Sequence, residues 1–148
     1  MRNHLAECVG VVGVVTHNIA VSVSVEVFNR ELLHLAKHYA KEKNLEHGFI
    51  FVAFGAEERG IVGSKHFAEN MDPKSVVAMV NFDMIGNLRS SAITLGGTGT
   101  AKEMDAIIAG ASHEFGNALK VTRSEQGHGP SDHSAFYAKN IPVFYLTT

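Results

Sequence analysis

A single cysteine, Cys8, in 148 residues excludes an internal disulfide framework and sets no redox compartment. It is most simply a small apolar side chain. Long apolar runs are also missing: none approaches the roughly 20 residues that a membrane-spanning helix needs, so no membrane partner is expected. Charge of neither sign dominates, with 13 Lys and Arg against 15 Asp and Glu and a net charge of −2. That balance gives no reason to expect nucleic acid or an anionic membrane surface as a partner. No internal repeat, low-complexity tract or Pro/Gly-rich linker interrupts the chain, so residues 1–148 read as one domain, long enough to bury a core. The opening stretch, "MRNHLAECVGVVGVVTHNIA", has the basic residue and short apolar segment of a signal peptide. Glu7 interrupts it, and no convincing small-residue cleavage site follows. It reads as an ordinary first strand, and the compartment is left unassigned.

Apolar residues make up 45% of the chain and charged residues 19%, the balance of a soluble globular protein. Strand and helix patterns alternate. "VGVVGVV" (9–15) is a short apolar strand, and residues 16–18 turn into "AVSVSVEV" (20–27), which alternates with the two-residue period of a half-buried strand. Asn29 offers an N-cap to a helix striped by Leu32, Leu33, Leu35, Ala36, Tyr39 and Ala40. "FIFVAF" (49–54) is an uninterrupted apolar strand of the kind covered on both faces. A short helix is expected over 62–70, strands over 75–86 and 92–97, a helix over 101–117, a short helix within 131–140, and a last strand over 141–148. The expected fold is α/β, a three-layer sandwich around a mixed, mostly parallel sheet.

In such open sheets ligands bind beyond the carboxyl ends of the strands, and two of the expected strands end in carboxylates. Glu57 and Glu58 follow "FIFVAFGA", and Asp83 sits inside "VNFDMIG" among Phe82, Met84 and Ile85. Adjacent glutamates after a strand are often only the acidic start of a helix. A carboxylate in apolar surroundings, however, is seldom left without a partner or a metal. Taken together, one carboxylate can hold zinc while its neighbour takes the proton of the zinc-bound water.

Three blocks carry a family resemblance over roughly residues 30–148: "FVAFGAEERGIVGSKHFAEN", "VVAMVNFDMIGNLR" and "GPSDHSAFYAKNIPVFYLTT". In that order and spacing the chain resembles the zinc-dependent aminopeptidases related to bacterial leucyl aminopeptidase, aminopeptidase Y and glutamate carboxypeptidase. The resemblance implies a zinc-exopeptidase fold, one or two zinc ions between strand ends, and peptide substrates cleaved at the N-terminal residue. It assigns Glu57 as general base, and Glu58 and Asp83 as zinc ligands. It also places the segment holding Asp132 and His133 beside the substrate pocket.

Three further family ligands have no clear counterpart. His17 follows "VVGVV", where a ligating histidine belongs, but Asn18 and Ile19 come next instead of a His-x-Asp pattern. The bridging aspartate falls near Ser24, with Glu26 the nearest carboxylate, and a last histidine belongs beyond Thr148. Residues 1–28 depart from the family pattern, and a truncated or frame-altered version of a longer peptidase gene is one economical explanation. A catalytic zinc normally has three protein ligands. The alternative to a metallopeptidase is therefore a non-catalytic fragment or interaction module that keeps the fold. A single-zinc acyltransferase of the glutaminyl-cyclase type shares the fold and the same missing ligands. A sheet with open edges also invites pairing between chains, so a homo-oligomer is expected.

Other residue types read more plainly. His34 and His38 are neighbours at helical spacing but lack the glutamate of a His-Glu-x-x-His motif. Ser131, Asp132 and His133 are consecutive and cannot face one another as a catalytic triad. "GGTGT" (96–100) matches neither a P-loop nor a dinucleotide fingerprint; it reads as flexible backbone near a cleft, or as a plain turn.

Overall fold

Alternating apolar runs and amphipathic segments build a sheet that has helices on both faces. In the computed structural model, which describes residues 18–24, 30–88, 91–115 and 119–148, the order is β1 (Asn18–Ser24), α1 (Arg30–Tyr39), β2 (Gly48–Phe54), α2 (Val62–Asn70), β3 (Val76–Phe82), β4 (Ala92–Gly96), α3 (Met104–Phe115), β5 (Lys120–Ser124), α4 (His133–Tyr137) and β6 (Val143–Thr147). A 3-10 turn, Pro73–Ser75, leads into β3. There Asp72 caps through its side chain, accepting from the Lys74 amide at 3.0 Å.

The six strands form one sheet in the order β2-β1-β3-β6-β4-β5. β2, β1, β3 and β6 run parallel to their neighbours, with Ala20 opposite both Ile50 and Met79, and Asn81 opposite Tyr145. β4 runs antiparallel to β6 and parallel to β5, which makes the sheet mixed. The parallel set places four strand ends along one edge, and the candidate site lies there.

The side-chain period of two explains the layers. Along β2, Ile50, Val52 and Phe54 join Met79, Ala68, Ala135, Phe136 and Val143 in the core beneath α2 and α4. Phe49 and Phe51 point the other way and pack against Leu32, Leu35 and Tyr39 of α1. Farther along that second face, Leu95, Phe144 and Leu146 meet Met104 and Ile108 of α3. An uninterrupted apolar strand such as β2 is what a position covered on both faces requires. The three-layer α/β sandwich with a mixed, mostly parallel sheet is therefore the observed fold.

Several boundaries differ from the sequence reading. β1 begins at Asn18, which the sequence assigns to a turn, and the apolar stretch 9–15 lies outside the described residues, as does the Asn29 cap. The helix expected over 101–117 occupies 104–115, and α2 has the expected bounds. β5 was not expected at all. All five of its residues are exposed, so no apolar pattern announces it; its pairing with β4 makes it a strand.

The glycines of "GGTGT" form a tight turn rather than a flexible cleft wall. Gly97 has φ +80, and a Cβ there would sit 2.0 Å from the Val143 carbonyl oxygen. Thr100 Oγ1 donates toward the Gly97 carbonyl at 2.7 Å and accepts from the Val143 amide at 3.0 Å, fastening the end of β4 to β6.

Phe136 is fully buried and tilts against both Phe54 and Phe67, with ring centroids 5.9 and 6.0 Å away. Phe136→Ala leaves a cavity between the sheet and two helices and should lower unfolding free energy by about 3–5 kcal/mol, read from urea denaturation.

Candidate active site

The turn after β2 sets the first two carboxylates. Ala56 and Ile61 both adopt left-handed backbone, φ 57 and 53, with Gly60 at φ 98 between them. Non-glycine residues reach that region at a cost of about 1–3 kcal/mol, and such strain gathers at functional sites. Hydrogen bonds hold the turn closed: the Gly63 amide donates to the Gly55 carbonyl at 3.1 Å, and the Ile61 amide to that of Glu57 at 2.7 Å. Gly63 must be glycine, because a Cβ would lie 2.6 Å from the Gly55 oxygen. This close return of the chain leaves Glu57 half-buried and Glu58 exposed at the end of the sheet.

Asp83 arrives from the neighbouring strand end. Its amide donates to the Leu146 carbonyl at 3.1 Å, extending the β3–β6 ladder by one residue, and Met84 then turns away with φ 52. Glu57, Glu58 and Asp83 line one cavity of about 570 Å³ together with Gly60, Ile61, Lys65, Met84, Gly129, Pro130 and Tyr145. The structure thus brings together three residues that the sequence reading grouped from two separate motifs.

Asp132 and His133 do not line that cavity; both are buried behind it. Ser134 anchors the adjoining rim, accepting from the Gly129 amide at 2.8 Å and donating to the Gly129 carbonyl at 2.5 Å. Asn81, also fully buried, donates to Ser131 Oγ at 2.7 Å and faces His133 Nδ1 at 3.5 Å. The His133 ring stacks on Tyr145, with centroids 4.5 Å apart and planes 21° from parallel.

The two buried titratable groups are shifted in opposite directions. Burial raises Asp132 from 3.8 to about 6; nearby Ser64 offsets part of that, and Asp83 adds to it. The Ser64 hydroxyl is itself directed at the Ile61 carbonyl, 3.1 Å away, and neither Asp132 oxygen has a hydrogen-bond partner among the described residues. Burial lowers His133 from 6.5 to about 4, opposed by Asp83 and assisted by His128. His133 is therefore neutral at pH 7.

His17, Ser24 and Glu26 supply no observed contact to this cavity: His17 and Glu26 lie outside the described residues, as does the side chain of Ser24. His34 and His38 are exposed on α1. Among the described residues no three His, Cys, Asp or Glu side chains cluster closely enough to hold a metal ion. Tyr145, Asn81 and Ser64 were missed by the sequence reading. Asn81 had a usable signal: it stands two residues before Asp83, on the same strand face.

Peptidase family M28 matches residues 30–148. The chain belongs to that family. Over 40 residues it is 50% identical to an aminopeptidase of Pseudomonas aeruginosa, covering 25% of this chain and 8% of that protein. Over 62 residues it is 34% identical to a probable zinc metalloprotease of Pyrenophora tritici-repentis, covering 40% and 13%. The fold is similar to that of BSAP, a zinc aminopeptidase from Bacillus subtilis, with a TM-score of 0.76 and 19% identity over 94% of this chain and 38% of that one. Legionella pneumophila LapA aminopeptidase is similar at a TM-score of 0.71 and 21% identity, over 89% and 40%. This M28 chain thus spans about two fifths of those structures and a smaller share of the curated relatives.

For this M28 domain the two shifts oppose each other. Folding keeps a proton on Asp132 that the unfolded chain has released, so this contribution to stability falls as pH rises from 3.8 through about 6. Folding excludes a proton from His133 that the unfolded chain binds, so that contribution grows from about pH 4 to 6.5. Asp132→Asn leaves only the second. Relative to the parent chain, its stability should gain on the order of 1–3 kcal/mol between pH 4 and 6.5 in urea unfolding. A difference that stays flat with pH would contradict this assignment.

Proposed function

We propose that the 570 Å³ cavity is the cleft of a metal-dependent aminopeptidase-like hydrolase that removes N-terminal residues from peptides. One observation carries the reading: in an M28 chain, Glu57, Glu58 and Asp83 come from two strand ends to line a single pocket. In it Glu57 is the general base that accepts a proton from the attacking water. Glu58 and Asp83 are carboxylate donors for zinc, with His17 as a further ligand. Asp132 and His133 support the pocket wall from behind. Zinc, when bound, supplies a water of lowered pKa and polarises the scissile carbonyl.

The described residues do not by themselves fit a complete zinc site, since a catalytic zinc takes three protein ligands and no such cluster is present among them. The reading therefore requires donors from outside the described residues. The same observation favours a second reading, a non-catalytic module that keeps the peptidase fold. Zinc content after dialysis, measured with hydrolysis of a leucyl anilide, separates the two. The enzyme reading expects stoichiometric zinc, turnover, and loss of turnover but not of zinc in Glu57→Gln. No zinc and no turnover leaves the module.

No helix among the described residues is long and apolar enough to cross a membrane. Self-association through β5 belongs to the same proposal, because all five β5 residues are exposed and β5 ends the sheet among the described residues. Light scattering should give a mass above that of one chain, and a clean monomer would count against it.

A further inference from the structure

Charge is unevenly spread around the cavity. Glu57, Glu58 and Asp83 bring carboxylates from the ends of β2 and β3, and Lys65 is the cation among the described residues that line it. Lys65 stands in the first turn of α2, where its amide donates to the Ile61 carbonyl at 3.0 Å. The turn that sets the two glutamates therefore also sets the lysine. Among the described residues its ammonium makes no ion pair, either with the cavity carboxylates or with Glu69, one turn farther along α2. The spacing to Glu69 permits such a pair, and none forms.

A side chain with three donors and a full charge, unpaired at a cavity wall, suits an anionic group on the molecule that enters. We propose that Lys65 receives the C-terminal carboxylate of a dipeptide, which makes free dipeptides the preferred substrates. The proposal rests on the hydrolase reading and names its substrate class. An extended dipeptide is a zwitterion whose opposite charges lie on the order of 7 Å apart. The cavity has the same asymmetry, with acids at the strand ends and a cation on α2. Its volume of about 570 Å³ lies within the range of pockets that bury most of a small ligand.

Charge also sets what is disfavoured. Three carboxylates in the wall repel a fourth, so a substrate carboxylate is tolerated only where Lys65 reaches it. In a longer peptide the group that follows the second residue is a neutral amide, and each added residue carries the terminal carboxylate about 3.5 Å farther away. Lys65 then meets a carbonyl, and the charge pair is lost. Lysine presents a point charge on a flexible stem, so it selects for charge and reach and discriminates little among second side chains. An acidic second side chain offers the same carboxylate from another position, and the experiment separates that source from the chain end.

The test compares Leu-Gly with Leu-Gly amide. The ratio of their kcat/KM values should be about five to ten, carried by KM, because an exposed ammonium is partly screened. Rising salt should shrink it. Lys65→Met, a conservative change for an exposed helix position, should bring the ratio close to one, and Lys65→Arg should keep most of it. A second readout is independent of turnover. In chain labelled at lysine 13Cε, the uncleavable analogue Leu-ψ[CH2-NH]-Gly should move the one resonance that is absent from Lys65→Met, at about five- to tenfold lower concentration than its amide does. A ratio near one in the parent overturns the proposal, as does a preference that survives in Lys65→Met. So does an unmoved Lys65 resonance, with zinc bound or without. Cleavage of Leu-Asp amide in preference to Leu-Gly overturns the dipeptide assignment in favour of an acidic second residue. Acid-selective movement of the Lys65 resonance in a chain that takes up no zinc and cleaves nothing overturns the hydrolase reading and leaves the carboxylate site in place.

Discussion

Parallel pairing of β2, β1, β3 and β6 is the constraint on which the rest depends. Parallel strands must all end on one side, so groups far apart in the sequence are delivered to a common edge. Glu57 and Glu58 leave β2 there, Asp83 leaves β3, and Tyr145 sits near the end of β6. β1 lies between the two carboxylate-bearing strands, so the cavity mouth is set by strand spacing as much as by the loops. The strained turn at Ala56 and Ile61 matters because it folds back at once, through Gly63 on Gly55, and so keeps both glutamates at the cavity rim.

Behind that edge lies a polar layer inside an otherwise apolar core. Ser64, Asn81, Ser131, Asp132 and His133 are all buried, between α2, β3 and α4. Asn81 and Ser131 satisfy each other at 2.7 Å, while Asp132 has no hydrogen-bond partner among the described residues. An apolar layer would be more stable, since a buried carboxylate without hydrogen bonds is costly to keep.

Much of this was legible in the sequence, for a definable reason. Asp83 contradicts its surroundings, a charge among Phe82, Met84 and Ile85, and the adjacent Glu57 and Glu58 gain weight only beside it. The three layers were legible from β2, whose apolar run has no polar face to show solvent. β5 was not legible, because no residue of Lys120–Ser124 is fully covered and pairing with β4 makes it a strand. Tyr145 was not legible either. In "IPVFYLTT" it is one more residue of an apolar strand, and its place on the cavity wall shows only once it stacks on a histidine twelve positions earlier. The "GGTGT" turn misled for the opposite reason. Glycine suggests freedom, yet Gly97 is there because the Val143 carbonyl leaves no room for a side chain.

The exposed outer strand has a consequence in time as well as in space. β3 lies inside the sheet, with neighbours on both sides and a fully buried Met79, whereas β5 has one neighbour among the described residues and is exposed throughout. Protection of backbone amides against solvent deuterium follows how many bonds must open together. It should therefore fall across the sheet from β3 toward β5, so that the far margin breathes many times before the strand leading to Asp83 opens once. Of the three carboxylates, Asp83 is in this sense the one anchored to the slow part of the molecule.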